Sequence, residues 1–410
     1  MGERPQALAR KAIASASALA ALPLLLGLPA PAAPAKPAAA VQPAASAKPT
    51  LKAIPIPTYQ MEAITHTGLD IKPMGGANMM RMMLGGAPAI GTTTNRTLEL
   101  RLESPRVVTN PTAEHRIPAG LGMGAALPLK TLTLEKGEPP NFKDVELVEG
   151  NGRLLLFRGC AESAGADQPE IVSLRGWTEE QKRQAKAAIQ ALGALPWTVD
   201  GSGTSGRWPN SDPAPPLPAQ GSLVGSHGVV STFAPEIRFQ VDASHDFLAP
   251  LTLTTAAAGG ARRLSWQGVP TALGYQATAT GAGQREGDMV MWTSSEAPRN
   301  DSWVPSDLRA AAAARLVQRQ VLLPPERTSC AISAQAMAAM RGAMVTVTAY
   351  GDSLKLSGPQ GAPAWQLSLE RRSSTTRPVG EGMEGLDGSG AAGSPSEQPK
   401  PRGFNPLRLF

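Results

Sequence analysis

Apolar and polar residues alternate most clearly over residues 97–103 (TLELRLE), where Leu98, Leu100 and Leu102 take one face and Glu99, Arg101 and Glu103 the other. Strand side chains project to opposite faces with a period of two, so this stretch predicts a half-buried strand. The same reading predicts strands at 130–134, 145–148 and 153–158, with Pro- and Gly-bearing turns between them. Seven further segments follow, at 237–241, 251–255, 263–267, 275–280, 289–294, 344–350 and 365–371. Seven short strands separated by turns suggest a sandwich. Two helices interrupt the β pattern. Thr178 caps the first, near 179–192; Gln181 completes a capping box, Glu179 and Glu180 oppose the helix dipole, and Gly193 and Pro196 end it. The second lies near 306–320, from Pro305-Ser306-Asp307 through an alanine run to a stop before Pro324 and Pro325.

Segments without either period divide the chain. Residues 33–50 are an Ala/Pro linker, which is extended and cannot build a core. Residues 74–91 (MGGANMMRMMLGGAPAIG) form a loop, 200–235 a longer loop between two units, and 377–410 a tail rich in Gly, Pro and Ser that is expected to be disordered. The expected fold is therefore mainly β with added helices. It has two β-sandwich-like domains, 51–199 carrying the first helix and 236–376 carrying the second. With 42 Gly and 39 Pro in 410 residues, and much of the apolar fraction alanine, the cores should be modest and the loops long.

The N-terminus supplies an address. Arg4, Arg10 and Lys11 precede an apolar run over 13–28, and Ala30-Pro31-Ala32 fits the small-x-small site of signal peptidase, so residues 1–32 read as a signal peptide. Nothing later is apolar enough to span a bilayer, and the mature chain is expected to be periplasmic or secreted from a Gram-negative bacterium. The net charge of +6 falls to +4 without residues 1–32, an ordinary solubility charge, and no window clusters cations with aromatics as nucleic-acid binding requires. In an oxidising compartment the only two cysteines, Cys160 and Cys330, predict a disulfide. The alternatives are two buried free thiols or a paired reactive site, although neither cysteine has an adjacent His or the close spacing of a redox motif.

Candidate chemistry is sparse. Met74, Met79, Met80, Met82 and Met83, with His66 nearby, are soft ligands suited to Cu(I) or Ag(I); the same methionines also suit a flexible apolar loop. Asp242, His245 and Asp246, with His227 upstream, could ligate a harder metal or simply sit solvated beside a turn. Gly225-Ser226-His227-Gly228 and the Gly/Ser run at 201–206 approach a nucleophile elbow, yet neither joins an apolar strand to a helix. No phosphate-binding or dinucleotide fingerprint is present, so an enzyme is disfavoured and no cofactor is expected. Seven Trp (177, 197, 208, 266, 292, 303 and 365) could stack on sugar rings or fill cores.

Two resemblances add to this reading. Residues 263–280 (RLSWQGVPTALGYQATAT) resemble the start of a fibronectin type III or related immunoglobulin-like module. The resemblance implies that Trp266 fills the space between sheets and that Tyr275 opens the neighbouring strand. More widely, the chain is similar to an uncharacterised family of secreted proteobacterial proteins. That likeness rests on residues 79–102, Arg158-Gly159-Cys160 with Gln168-Pro169, Trp208-Pro209-Asn210, SLVG at 222–225, WTSSE at 292–296, TSCAI at 328–332 and TAYG at 348–351. Together these readings lead to an exported, non-enzymatic binding or structural protein of the cell envelope, whose partner is an envelope protein or a glycan. A periplasmic metal-handling protein using the Met loop, a glycan-binding module and, further off, an envelope hydrolase are the alternatives.

Overall fold

The computed structural model describes residues 56–68, 94–134, 152–173, 203–211, 214–297, 308–359 and 364–380. Strand β1 (Thr58–Gly68) buries Tyr59, Met61, Ala63 and Thr65 on one face. Strand β2 (Asn95–Ser104) buries Leu98, Leu100 and Leu102 as its alternation predicts. Three short strands follow, β3 (Ala113–Arg116), β4 (Ala126–Pro128) and β5 (Lys130–Leu134). The hairpin of β6 (Arg153–Arg158) and β7 (Glu170–Ser173) precedes β8 (Gly203–Trp208), β9 (Gly225–Ser231) and β10 (Ile237–Val241).

The remainder of the chain forms β11 (Leu253–Ala258), β12 (Ala261–Trp266), β13 (Ala272–Gly283) and β14 (Met289–Thr293). Then come helix α1 (Ala310–Gln318), β15 (Ser329–Ile332), helix α2 (Ala334–Ala339), β16 (Met340–Gly351), β17 (Leu354–Gly358) and β18 (Trp365–Val379).

Eleven strands make one sheet in the order β5-β8-β2-β1-β18-β16-β13-β14-β6-β7, with β17 pairing β18 beside this path. The pairs β1/β18 and β14/β6 are parallel. Two smaller sheets, β10-β9-β3-β4 and β11-β12-β15, cover the same face of the large one in a sandwich-like arrangement. The first core joins Tyr59, Leu98, Leu100, Leu102 and Leu367 of the large sheet to Leu127, Val229, Ile237 and Phe239 of the second. The other core joins Tyr275, Trp292, Val345 and Val347 to Leu253, Leu264, Trp266 and Ile332 of the third sheet.

A polar seam separates the two cores, and the segment 242–251 runs across it. Thr65 donates to the Leu248 carbonyl at 2.8 Å, Thr67 to Leu251 at 2.6 Å and Ser373 to Ala249 at 2.8 Å. The guanidinium of Arg371, its side chain only 2% exposed, donates to the carbonyls of Ser244 at 2.7 Å and Asp246 at 3.0 Å and pairs with Asp352. Buried polar groups are costly without partners, and here the crossing backbone and the seam side chains satisfy each other.

Three expectations change. Residues 200–235, read as loop, contain β8 and β9, because Gly203-Thr204-Ser205-Gly206 offers small residues where packing needs them: a Cβ on Gly206 would lie 3.3 Å from the Leu129 side chain. The units expected at 51–199 and 236–376 share the large sheet, since β18 pairs β1 on one side and β16 on the other. Residues 377–379, expected within the tail, belong to β18, and residues 381–410 lie outside the described ones. Helix α1 answers the helix expected near 306–320. The signal peptide, the linker, the strand at 145–148 and the helix near 179–192 lie outside the described residues. No helix among the described residues is long and apolar enough to cross a membrane.

Candidate functional site

The disulfide is formed. Cys160, just after β6, bonds Cys330 of β15 with Cα atoms 4.7 Å apart, linking the large sheet to the third across 170 residues of sequence. The loop carrying Met74, Met79, Met80, Met82 and Met83 lies outside the described residues. His66 stands on β1, its Nδ1 2.9 Å from the Ser374 hydroxyl of β18.

Asp242 and His245 are brought together, Nδ1 of His245 lying 2.9 Å from the Asp242 carboxylate, whereas Asp246 is engaged elsewhere, and both aspartates have structural tasks. Asp242 caps a short helical turn, accepting from the Ser244 and His245 amides, and hydrogen bonds from Ser244 and His245 lower its pKa to about 2. Asp246 accepts from the Ser222 hydroxyl at 2.6 Å and the Leu223 amide at 2.8 Å. Among the described residues no three His, Cys, Asp or Glu side chains are grouped as a metal site would require. Trp208, Trp266 and Trp292 are buried, and Trp365 packs against the first core; Trp177, Trp197 and Trp303 lie outside the described residues.

The densest functional chemistry is a buried chain of three side chains between the large sheet and the second one. Tyr59 of β1 places its hydroxyl 2.6 Å from Nδ1 of His115 on β3. His115 Nε2 is 2.9 Å from Nδ1 of His227 on β9, and His227 Nε2 is 2.7 Å from the Leu223 carbonyl. Period two explains the placement of His115: its neighbours Glu114 and Arg116 point outward and pair with each other, which turns His115 into the core. Aromatic rings frame the chain. The Phe239 ring stacks on His227 with centroids 4.9 Å apart, and Tyr59 meets His115 edge-on at 82°.

The hydrogen bonds fix the proton positions. A carbonyl can only accept, so His227 Nε2 carries a proton, and in the neutral ring its Nδ1 accepts from His115 Nε2. Nδ1 of His115 then accepts from the Tyr59 hydroxyl. Every polar atom of the three side chains is satisfied with no net charge. Burial, reinforced by His227, lowers the His115 pKa to about 3, and burial also lowers that of His227 against the opposing effect of its bond to Leu223. Burial raises the Tyr59 pKa well above its ordinary value, so the phenol stays a donor. The chain is suited to holding two layers in register and to sensing a proton, and it contains no activated nucleophile.

Sequence reasoning placed His227 in a different cluster and passed over Tyr59 and His115. The two histidines lie 112 residues apart in strands that are not adjacent in sequence, so no spacing motif joins them. The available signal was local: a His between Glu and Arg in a short strand is the inward residue. No family model matches the chain, nor does any curated protein or solved structure.

Proposed function

We propose that the chain is an exported, non-enzymatic binding or structural protein of the cell envelope whose C-terminal part is a fibronectin type III-like module. The disulfide carries the export reading, because a bond between Cys160 and Cys330 forms and persists in an oxidising compartment. The module reading is supported by strand order: β11-β12-β15 faces β18-β16-β13-β14, three strands against four, with the ring centroids of Trp266 and Tyr275 5.5 Å apart between the layers. Binding is supported by the ends of the large sheet. Leu132 on β5 and Ile171 on β7 are 57% and 53% exposed, and exposed apolar side chains on edge strands favour an envelope protein over a sugar as partner.

The test is fractionation of the native cells with thiols trapped by a maleimide of high mass before and after reduction. The expected result is a mature chain in the envelope fraction, lacking residues 1–32 and labelled only after reduction. A reduced chain in the cytoplasm overturns the proposal. Photo-crosslinking groups placed at 132 and 171 in the same cells should capture a protein of defined mass, whereas capture of glycan strands alone would reassign the partner.

A further inference from the structure

We propose that the Tyr59–His115–His227 chain is an acid-operated latch that releases the second sheet from the large sheet while the third sheet stays docked. The argument starts from the proton inventory. In the neutral chain Tyr59 donates to His115, His115 to His227 and His227 to the Leu223 carbonyl, so all three donors run in one direction. An added proton on His227 Nδ1 would face the proton already on His115 Nε2. The clash is relieved only if His115 shifts its proton to Nδ1 and turns it on the Tyr59 oxygen, which leaves the phenol hydrogen without its acceptor. One proton therefore costs a buried charge and an unpaired buried donor together. A sheet lifted from the core gives both imidazoles to water, where they take protons at ordinary affinity. Acid thus favours the open form.

The surroundings offer little to absorb that charge. On the core-facing side β2 presents Leu98, Leu100 and Leu102, β18 presents Leu367 and Leu369, β4 presents Leu127, and β10 presents Ile237, Phe239 and Val241, all buried. The charged groups nearest the far end of the chain are already engaged. Asp246 accepts from the Leu223 amide, Arg96 donates to the Gly221 carbonyl and lies over the Phe247 ring, and Arg371 holds the Asp246 carbonyl. Glu114, Arg116, Glu236 and Arg238 form two ion pairs on the solvent side of β3 and β10. The third sheet lacks such a trigger, as β11, β12 and β15 contain no histidine and Cys160–Cys330 fastens β15.

Hydrogen exchange on the full mature chain at pH 7.5 and 5.0, corrected for the intrinsic pH dependence of amide exchange, tests the latch. One histidine of ordinary affinity protonated on opening raises the opening constant about thirtyfold over this interval. The amides of β9 and β10 should show that rise or more, while those of β11 and β12 stay within twofold. A rise below tenfold in the second sheet overturns the latch, and so does an equal rise in the third sheet, which would mean the whole molecule unfolds. Nitrogen-15 spectra of the same protein at pH 7.5 should show His115 and His227 as neutral rings protonated at Nε2, and an imidazolium at either position overturns the proton inventory. In Tyr59→Phe no phenol hydrogen is stranded and His115 Nδ1 is free to bind a proton in the closed form, so the closed form protonates more readily and the rise in second-sheet opening between pH 7.5 and 5.0 should be smaller than in the wild type; an unchanged rise sinks the role given to Tyr59.

Discussion

A buried guanidinium and an exposed one show how far context sets the worth of a single side chain. Arg371 satisfies two carbonyls of the crossing segment and the Asp352 carboxylate from a site that is 2% exposed, whereas the Arg263–Glu162 pair is 58% and 50% exposed. Removing Arg371 leaves the carbonyls of Ser244 and Asp246 without their donor, at about 1 to 3 kcal/mol for each buried acceptor, while an exposed pair contributes about 0 to 1 kcal/mol. Arg371→Met should therefore lower the urea-derived stability by several kcal/mol, and Arg263→Met should leave it within about 1 kcal/mol of wild type. Trp266 offers a second contrast. It is 6% exposed against Leu253, Leu264 and Tyr275, so Trp266→Ala should cost about 3 to 5 kcal/mol. Its indole N–H has no hydrogen-bond partner, so Trp266→Phe removes an unsatisfied donor along with the lost volume and should cost markedly less than the alanine variant in the same measurement.

Elements were legible where a strict period met large apolar residues. In β2 three leucines alternate with charges, and β10 reads Ile237, Phe239, Val241 against Arg238 and Gln240; both were readable from the sequence. Strand β1 was not, because its buried face mixes Tyr59, Met61, Ala63 and Thr65 while Ile64 points the other way, which blurs the hydrophobic contrast. Strand β8 was hidden for the opposite reason, as its Gly and Ser residues imitate a loop and are selected by close packing against Leu129 and Ala113. Helix α1 starts at Ala310, later than Pro305 suggests, and the Glu370 carboxylate of β18 accepts the Ala310 amide at 2.9 Å, a tertiary cap that local sequence cannot reveal. The end of β1 shows a backbone demand of the same kind. Gly68 has φ +83°, and a Cβ there would lie 2.2 Å from the Thr376 carbonyl oxygen. Gly68→Ala should lower stability by about 2 kcal/mol or more, read as a fall in thermal midpoint, because the strained conformation and the clash act together.

On the scale of the whole molecule, long-range pairing decides the architecture. The parallel register of β1 on β18 joins residues some three hundred positions apart, such as His66 and Ser374, and no local pattern specifies it. The cysteine pair was legible because only two were present, and closing 170 residues stabilises by at most roughly 5 kcal/mol in the chain-entropy picture.

Acid stability tests the integrated charge balance. His115 has a folded pKa near 3, so the unfolded chain binds more protons between about pH 6.5 and 3, and stability falls with acidification across that window. Glu103 acts oppositely. Burial, opposed by Arg101 and Arg207, raises its pKa to about 7, so the folded chain binds more protons between about pH 7 and the ordinary carboxylate value, and stability rises as pH falls there. His227, whose pKa burial also lowers, adds to the effect of His115, so global stability should fall gently from pH 6.5 to about 4.5, where Glu103 offsets part of the two histidines, and more steeply below, where Glu103 is protonated in both states while His115 still resists. Asp242, held near 2 by its hydrogen bonds, adds to the drop as it is forced to protonate. Glu103→Gln removes the counterweight, so denaturant titrations of that variant should show a steeper decline from pH 6.5 to about 4.5 than the wild type. A profile that is flat from pH 6.5 to about 4.5 in Glu103→Gln would show that the histidine chain does not govern acid stability.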